Sequence, residues 1–205
     1  MPSVGIVGAG LIGRSWAMVF ARAGWDVRIT DPDPRTLADV QRLIREGLDE
    51  LARHDLVADP AQAAGRITAL SSLAEAVADA DLVQENGPEN VDVKRTIFAE
   101  LDELAPSGCI LASSTSAIVA SRFTEELPGR GRCVVAHPVN PLTSYPWWNC
   151  AGRRGRLRRR SPEQSISMKP SSRSPSSSIT RSKVSFSIGS RVRCSPKRFD
   201  SWVRA

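Results

Sequence analysis

The amino-acid sequence predicts a doubly wound α/β fold with a mostly parallel sheet over residues 1–141. Two observations carry that prediction. Short apolar strands alternate with amphipathic helices along this stretch, and a glycine-rich turn joins the first strand to the first helix. Ser3 to Val7 is the first strand, Gly8 to Gly13 the turn, and Leu11 to Ala23 a helix with Trp16, Val19, Phe20 and Ala23 on one face. Gly24 ends that helix, and Asp26 to Thr30 returns as a strand. Strand, turn, helix and strand thus fit within about thirty residues, the size of a βαβ unit.

Pro34 to His54 is a long helix with Leu37, Val40, Ile44, Leu48 and Leu51 as its apolar stripe. A polar, alanine-rich connection follows. Arg66 to Leu70 reads as a strand, Leu73 to Ala78 as a short helix, Leu82 to Gln84 as a strand and Val91 to Leu104 as an amphipathic helix. Cys109 to Ala112 is a strand, Ala117 to Glu126 a helix and Cys133 to Ala136 the last strand.

Charge divides the chain. Residues 1–141 hold 13 Lys and Arg against 20 Asp and Glu, whereas residues 142–205 hold 15 against 2. The basic isoelectric point near 9.7 therefore describes the tail. The acidic part reads as an enzyme domain, and Ser-rich residues 142–205, with arginines clustered at Arg153 to Arg160, read as a disordered basic tail. A nucleic-acid-binding arm is the alternative for the tail, with phosphate contacts that carry no sequence preference. The four cysteines form no CxxC pair and no zinc spacing, so no metal is expected. No signal-peptide pattern opens the chain and no apolar run reaches the ~20 residues that span a bilayer. The expectation is a cytoplasmic protein without membrane contact.

Gly8-Ala9-Gly10-Leu11-Ile12-Gly13 is GxGxxG between a strand and a helix. Gly8 permits the tight turn, Gly10 lets backbone approach a pyrophosphate, and Gly13 lets helix and strand pack closely. Leu11 and Ile12 open the helix whose free N–H groups would face the phosphates. Asp31 ends the second strand. Its carboxylate can accept from the ribose hydroxyls of NAD and would repel the 2′-phosphate of NADP; capping of the Asp-Pro-Asp-Pro turn is its other reading, and Asp33 is the helix cap. The expected fold is thus of the Rossmann type, and the expected cofactor is NAD.

Four motifs occur in order: Ile12-Gly13-Arg14-Ser15-Trp16-Ala17-Met18; Gln84-Glu85-Asn86-Gly87-Pro88-Glu89-Asn90 with Lys94; Ser113-Ser114-Thr115-Ser116; and His137-Pro138-Val139-Asn140-Pro141. Over Ser3 to Pro141 this order resembles the 3-hydroxyacyl-CoA dehydrogenase superfamily, most closely the branch of L-gulonate 3-dehydrogenase and lambda-crystallin. The resemblance implies NAD-dependent oxidation of a 3-hydroxy group to a 3-keto group, on a 3-hydroxy acid or a 3-hydroxyacyl-CoA. It implies His137 as general base, Ser116 as hydrogen-bond partner of the reacting oxygen, Asn140 in the active-site loop, and Glu89 and Lys94 near the cofactor. Imidazole suits the base because its pKa lies near working pH. Other readings stand beside these: His137 as a hydrogen-bonded strand-end residue, Ser116 as a helix N-cap, and Glu89 and Lys94 as a solvated helix start. A cofactor-binding but non-catalytic protein is the alternative function. The resemblance implies CoA contacts from lysines in the long-helix region, and Pro34 to Ala69 holds no Lys, which favours a small hydroxy acid over a CoA ester.

The resemblance also implies a glutamate twelve residues beyond the histidine, where this chain has Asn149, and a helical second domain that builds a homodimer. The tail reads instead as an out-of-frame remnant of that domain. Lys183 to Gly189, written with one allowed codon choice as aag gtt tcg ttc tca atc ggg and regrouped by one base with a suitable base before it, reads EGFVLNR, and Leu142 to Cys150 allows YLIPVVEL, which restores the glutamate. A base lost near Leu142 would account for the whole tail and would remove the dimer surface.

Overall fold

A computed structural model describes residues 1–138 and 148–152. Six strands run parallel in one sheet: β1 (Ser3–Val7), β2 (Asp26–Thr30), β3 (Ile67–Ala69), β4 (Leu82–Glu85), β5 (Ile110–Ser113) and β6 (Cys133–Pro138). A seventh, β7 (Trp148–Gly152), pairs antiparallel with β6, and the order across the sheet is β3-β2-β1-β4-β5-β6-β7. The first six strands thus follow the doubly wound order of dinucleotide-binding folds, which reverses between β1 and β4 and opens a crevice at the carboxyl ends of those strands.

The two faces of the sheet carry separate cores. Helices α1 (Leu11–Arg22), α2 (Pro34–Arg53) and α3 (Pro60–Gly65) cover Val4, Ile6, Val27, Ile29 and Ile67. Val40, Ile44, Leu48 and Leu51 of α2 are buried at helical spacing. Helices α4 (Leu73–Val77), α5 (Val91–Leu104) and α6 (Ser121–Thr124) enclose the second core, in which Phe98 and Phe123 meet edge to face at 4.7 Å. Strand alternation divides the faces: Ile6 joins the first core, while a Cβ on neighbouring Gly5 would stand 2.9 Å from the Ala76 carbonyl of α4.

Asp33 caps α2 by accepting from the Arg35 N–H, as expected. Gly24, at φ +89°, follows the end of α1. Four elements depart from the sequence reading. The alanine-rich connection contains α3, started by the Asp59 cap and Pro60; six residues are too few to show an apolar stripe. Ala23 lies outside α1 and is exposed. The helix expected from Ala117 shrinks to α6; residues 115–117 form a loop instead, with the Thr115 hydroxyl and the Ser116 and Ala117 N–H groups donating to Glu89 and Ile118 N–H to Thr115 Oγ1. Finally, β7 lies beyond Pro141, where the sequence shows no strand period. Ladder bonds between backbones need no particular side chains, so the β6 edge can take such a segment. The rest of the expected basic tail, including Arg153 to Arg160, lies outside the described residues. No helix among the described residues is long and apolar enough to cross a membrane.

Candidate active site and dinucleotide cradle

Every candidate side chain that the structure describes sits at the carboxyl edge of the sheet. The glycine turn follows β1, Asp31 follows β2, residues 86–90 follow β4, residues 114–117 follow β5, and His137 lies at the end of β6. Gly8 adopts φ +93°, and a Cβ there would meet the Asn86 carbonyl at 3.0 Å. At Gly13 a Cβ would stand 1.8 Å from the Gly8 carbonyl oxygen. Gly10 is different, since an added Cβ would meet nothing within 4 Å. Its backbone borders open space, as close approach to a pyrophosphate needs.

The start of α1 fits the same ligand. Gly10 offers no side-chain cap and the first turn holds no acidic residue. The other long helices, α2 and α5, are capped by Asp33 and Asn90. Among the described residues the first-turn N–H groups of α1 therefore meet no carboxylate, and they suit an anion. Leu11 is 70% exposed beside this turn, whereas Ile12 packs against the core. Asp31 serves the turn directly: Ala9 N–H donates to Oδ2 at 2.7 Å and Asp33 N–H to Oδ1 at 2.9 Å. The turn reading of Asp31 thus holds in the protein alone, and its carboxylate stands beside the glycine loop, where a ribose would lie. The residues present fit an NAD cofactor.

Ser116 Oγ lies 3.0 Å from His137 Nε2. Ser116 caps no helix, since α6 begins five residues later with Ala120 as its cap. Glu89 Oε1 accepts from Thr115 Oγ1 at 2.7 Å, Ser116 N–H at 3.0 Å and Ala117 N–H at 2.9 Å. Burial alone would raise the Glu89 carboxyl. The bonds from Thr115, Ala117 and Ser116, with the charge of Lys94, outweigh it and hold the pKa below its ordinary value.

Lys94 is not a solvated helix residue. It is 1% exposed on α5, and its ammonium lies 2.9 Å from both oxygens of Glu85, which is 0% exposed. Glu85 also accepts from Ser113 Oγ at 2.5 Å and Gly87 N–H at 2.7 Å. Buried charge is tolerated here because each partner is paired and hydrogen-bonded.

Sequence reasoning gave no individual roles to Gln84, Asn86 and Ser114, which form a second junction. Ser114 Oγ accepts from Trp16 Nε1 at 3.0 Å and Gln84 Nε2 at 2.8 Å and donates to Asn86 Oδ1 at 2.6 Å. Asn86 Nδ2 donates to the Gln84 and Val7 carbonyls. This ties α1 to the ends of β1, β4 and β5. The available signal was two polar residues, Gln84 and Glu85, at the end of an otherwise apolar strand. Asn140 lies outside the described residues. Asn149 of β7 is the backbone register partner of His137.

A glycine cradle at the switch point, an acid after β2 and a hydrogen-bonded serine–histidine pair at the ends of β5 and β6 define the class: a dinucleotide-binding domain. Residues 3–147 match the family described as 3-hydroxyacyl-CoA dehydrogenase, NAD binding domain, and the chain belongs to that family. It is 40% identical over 144 residues to lambda-crystallin of Oryctolagus cuniculus, covering 69% of this chain and 45% of that protein. It is 42% identical over 143 residues to L-carnitine dehydrogenase of Streptomyces griseus, covering 70% of this chain and 42% of the relative. The chain thus spans less than half the length of these relatives. Among solved structures it resembles (S)-3-hydroxybutyryl-CoA dehydrogenase PaaH1 from Ralstonia eutropha, with a TM-score of 0.63 and 30% identity over 69% of this chain and 50% of that one.

Proposed function

We propose that this chain is the NAD-binding half of a dehydrogenase that interconverts a 3-hydroxy acid and its 3-keto product. The observation that carries this reading is the 3.0 Å approach of Ser116 Oγ to His137 Nε2 at the carboxyl edge. With the ring proton on Nδ1, Nε2 accepts from the Ser116 hydroxyl. A substrate hydroxyl entering this pair would give its proton to Nε2 and hydrogen-bond Ser116 Oγ. Bound NAD supplies the hydride acceptor. Gly8, Gly10 and Gly13 with the first turn of α1 hold its pyrophosphate, and Asp31 takes the adenosine ribose and disfavours a 2′-phosphate.

A free 3-hydroxy acid such as gulonate or carnitine is favoured over a CoA thioester. Support comes from the lysine-free Pro34 to Ala69 segment and the likeness to an L-carnitine dehydrogenase. Residues 142–205 are read as an out-of-frame remnant of the substrate domain, so this chain should bind NAD weakly and turn over little. A non-catalytic NAD-binding role is the second reading, favoured by the likeness to a lambda-crystallin and by Asn149 across the ladder from His137.

The test compares the chain as written with a version whose gene regains one base near Leu142. Binding of NAD is titrated, and NADH formation is followed with gulonate, carnitine and 3-hydroxybutyryl-CoA. The restored protein is expected to oxidise a hydroxy acid and to lose that activity in His137→Gln. Firm NAD binding without turnover on any of them would favour the non-catalytic role, and absence of NAD binding by both proteins would sink both readings.

A further inference from the structure

We propose that Glu89 is a positioning residue, whose carboxylate grips the loop of residues 115–117 and so holds the Ser116 hydroxyl against the His137 imidazole. The inference rests on the reading of Ser116 and His137 as the reacting pair. It goes beyond a cofactor contact, because it assigns Glu89 work to do in the protein alone.

Ser116 is held in place from outside its own segment. The residue belongs to no helix or strand, because β5 ends at Ser113 and α6 begins at Ser121. Backbone donors of such a loop need acceptors from elsewhere. Glu89 Oε1 supplies one acceptor for three successive residues: the Thr115 hydroxyl and the Ser116 and Ala117 N–H groups. Two of these bonds flank the Cα of Ser116, so together they restrict the φ and ψ that aim its side chain. Thr115 is braced in turn, accepting from Ile118 N–H through Oγ1 and donating its own N–H to Ser113 Oγ. Ser113 is anchored on Glu85. The loop is thus held from above by one carboxylate and from below by another, while its tip meets Nε2 of His137.

Charge is part of the grip. Hydrogen bonds to an ionised carboxylate are roughly twice as strong as neutral ones, and the depressed Glu89 pKa keeps the group ionised at neutral pH. Lys94 of α5 is the charged group that favours this state, although its ammonium is paired with Glu85. All three loop bonds end on Oε1, so the same carboxylate can still meet a ribose through Oε2.

The experiment uses the full chain without cofactor, where a residue serving NAD alone has no effect. Glu89→Gln and Glu89→Ala are compared with wild type by hydrogen exchange at the Ser116 and Ala117 amides and by the 15N resonance of His137 Nε2. Thr115→Val removes one bond and keeps the carboxylate. Loss of the charged acceptor is expected to speed exchange at both amides about tenfold or more. It should also move the Nε2 resonance toward that of a free imidazole, with Ala larger than Gln and Thr115→Val smaller than either. Circular dichroism checks that each variant stays folded, so that the readouts report the loop and not global unfolding. Unchanged amides and an unchanged His137 resonance in Glu89→Ala would overturn the proposal and leave Glu89 as a cofactor ligand at most. These readouts need no turnover, so they separate this proposal from the dehydrogenase reading.

Discussion

A Cβ on Gly13 would stand 1.8 Å from the carbonyl oxygen of Gly8, whereas one on Gly10 would meet no atom within 4 Å. Two glycines of one motif therefore serve different ends, and substitution separates them. Gly13→Ala forces α1 away from the end of β1 and should destabilise the domain by about 2–4 kcal/mol, in the manner of an overpacked core. Gly10→Ala should change stability by less than about 1 kcal/mol, yet abolish NAD binding by occupying the phosphate space. Urea denaturation and NAD titration of both variants check this. Equal loss of stability in the two would refute the division.

Lys94 and Glu85 form a buried pair whose members are not equally replaceable. Lys94→Met leaves the Glu85 carboxylate buried with only the Ser113 hydroxyl and the Gly87 N–H. That should cost about 3–5 kcal/mol. Adding Glu85→Gln removes the stranded charge: its oxygen accepts from Gly87 N–H and its NH₂ donates to Ser113 Oγ, a hydroxyl that can accept instead of donate. The double variant is expected to be more stable than Lys94→Met alone, measured by urea midpoint. A double variant less stable than the single one would show that charge stranding is not the cause.

Much of this architecture was legible because it depends on local pattern. β1, β2 and α5 run as their periodicity indicates, and Asp33 caps α2 where an Asp-Pro sequence invites it. The glycine roles were readable for the same reason, since each follows from the turn itself. What stayed hidden depends on contacts between different elements. Lys94 reads as a surface charge until Glu85, nine residues away on β4, closes over it. Ser116 reads as a helix cap until Glu89 takes its N–H and His137 its hydroxyl. β7 was illegible because edge pairing with β6 uses backbone groups, which leave no period in the sequence.

Cys109 lies buried just before β5, and burial pushes its thiol up to about 12 from the ordinary 9.0. The thiol is therefore protonated in the folded protein throughout the usual pH range and lacks the thiolate that reacts. Iodoacetamide at pH 8 should leave Cys109 unmodified in the native chain and alkylate it in urea, as read by peptide mass. The same shift sets a pH slope. The unfolded thiol ionises first, so stability is intact below 9.0 and declines as the pH climbs toward about 12. Rapid alkylation of the native protein would contradict this burial.

Asp31 joins the turn and the cofactor site in one side chain, so its neutral isostere should affect both. In Asp31→Asn one carboxylate oxygen becomes an NH₂, which cannot accept from Ala9 N–H and Asp33 N–H together. One of the two bonds, at 2.7 and 2.9 Å, is lost, and stability should fall by about 1–3 kcal/mol. The lost negative charge also removes the repulsion that disfavours a 2′-phosphate. NADP should therefore gain on NAD, with the ratio of their dissociation constants moving toward unity. Titrating both dinucleotides into wild type and Asp31→Asn gives the answer directly. If stability falls while the NAD to NADP ratio stays as in wild type, Asp31 serves the glycine turn alone, and discrimination between the dinucleotides must come from another group at the mouth of the crevice.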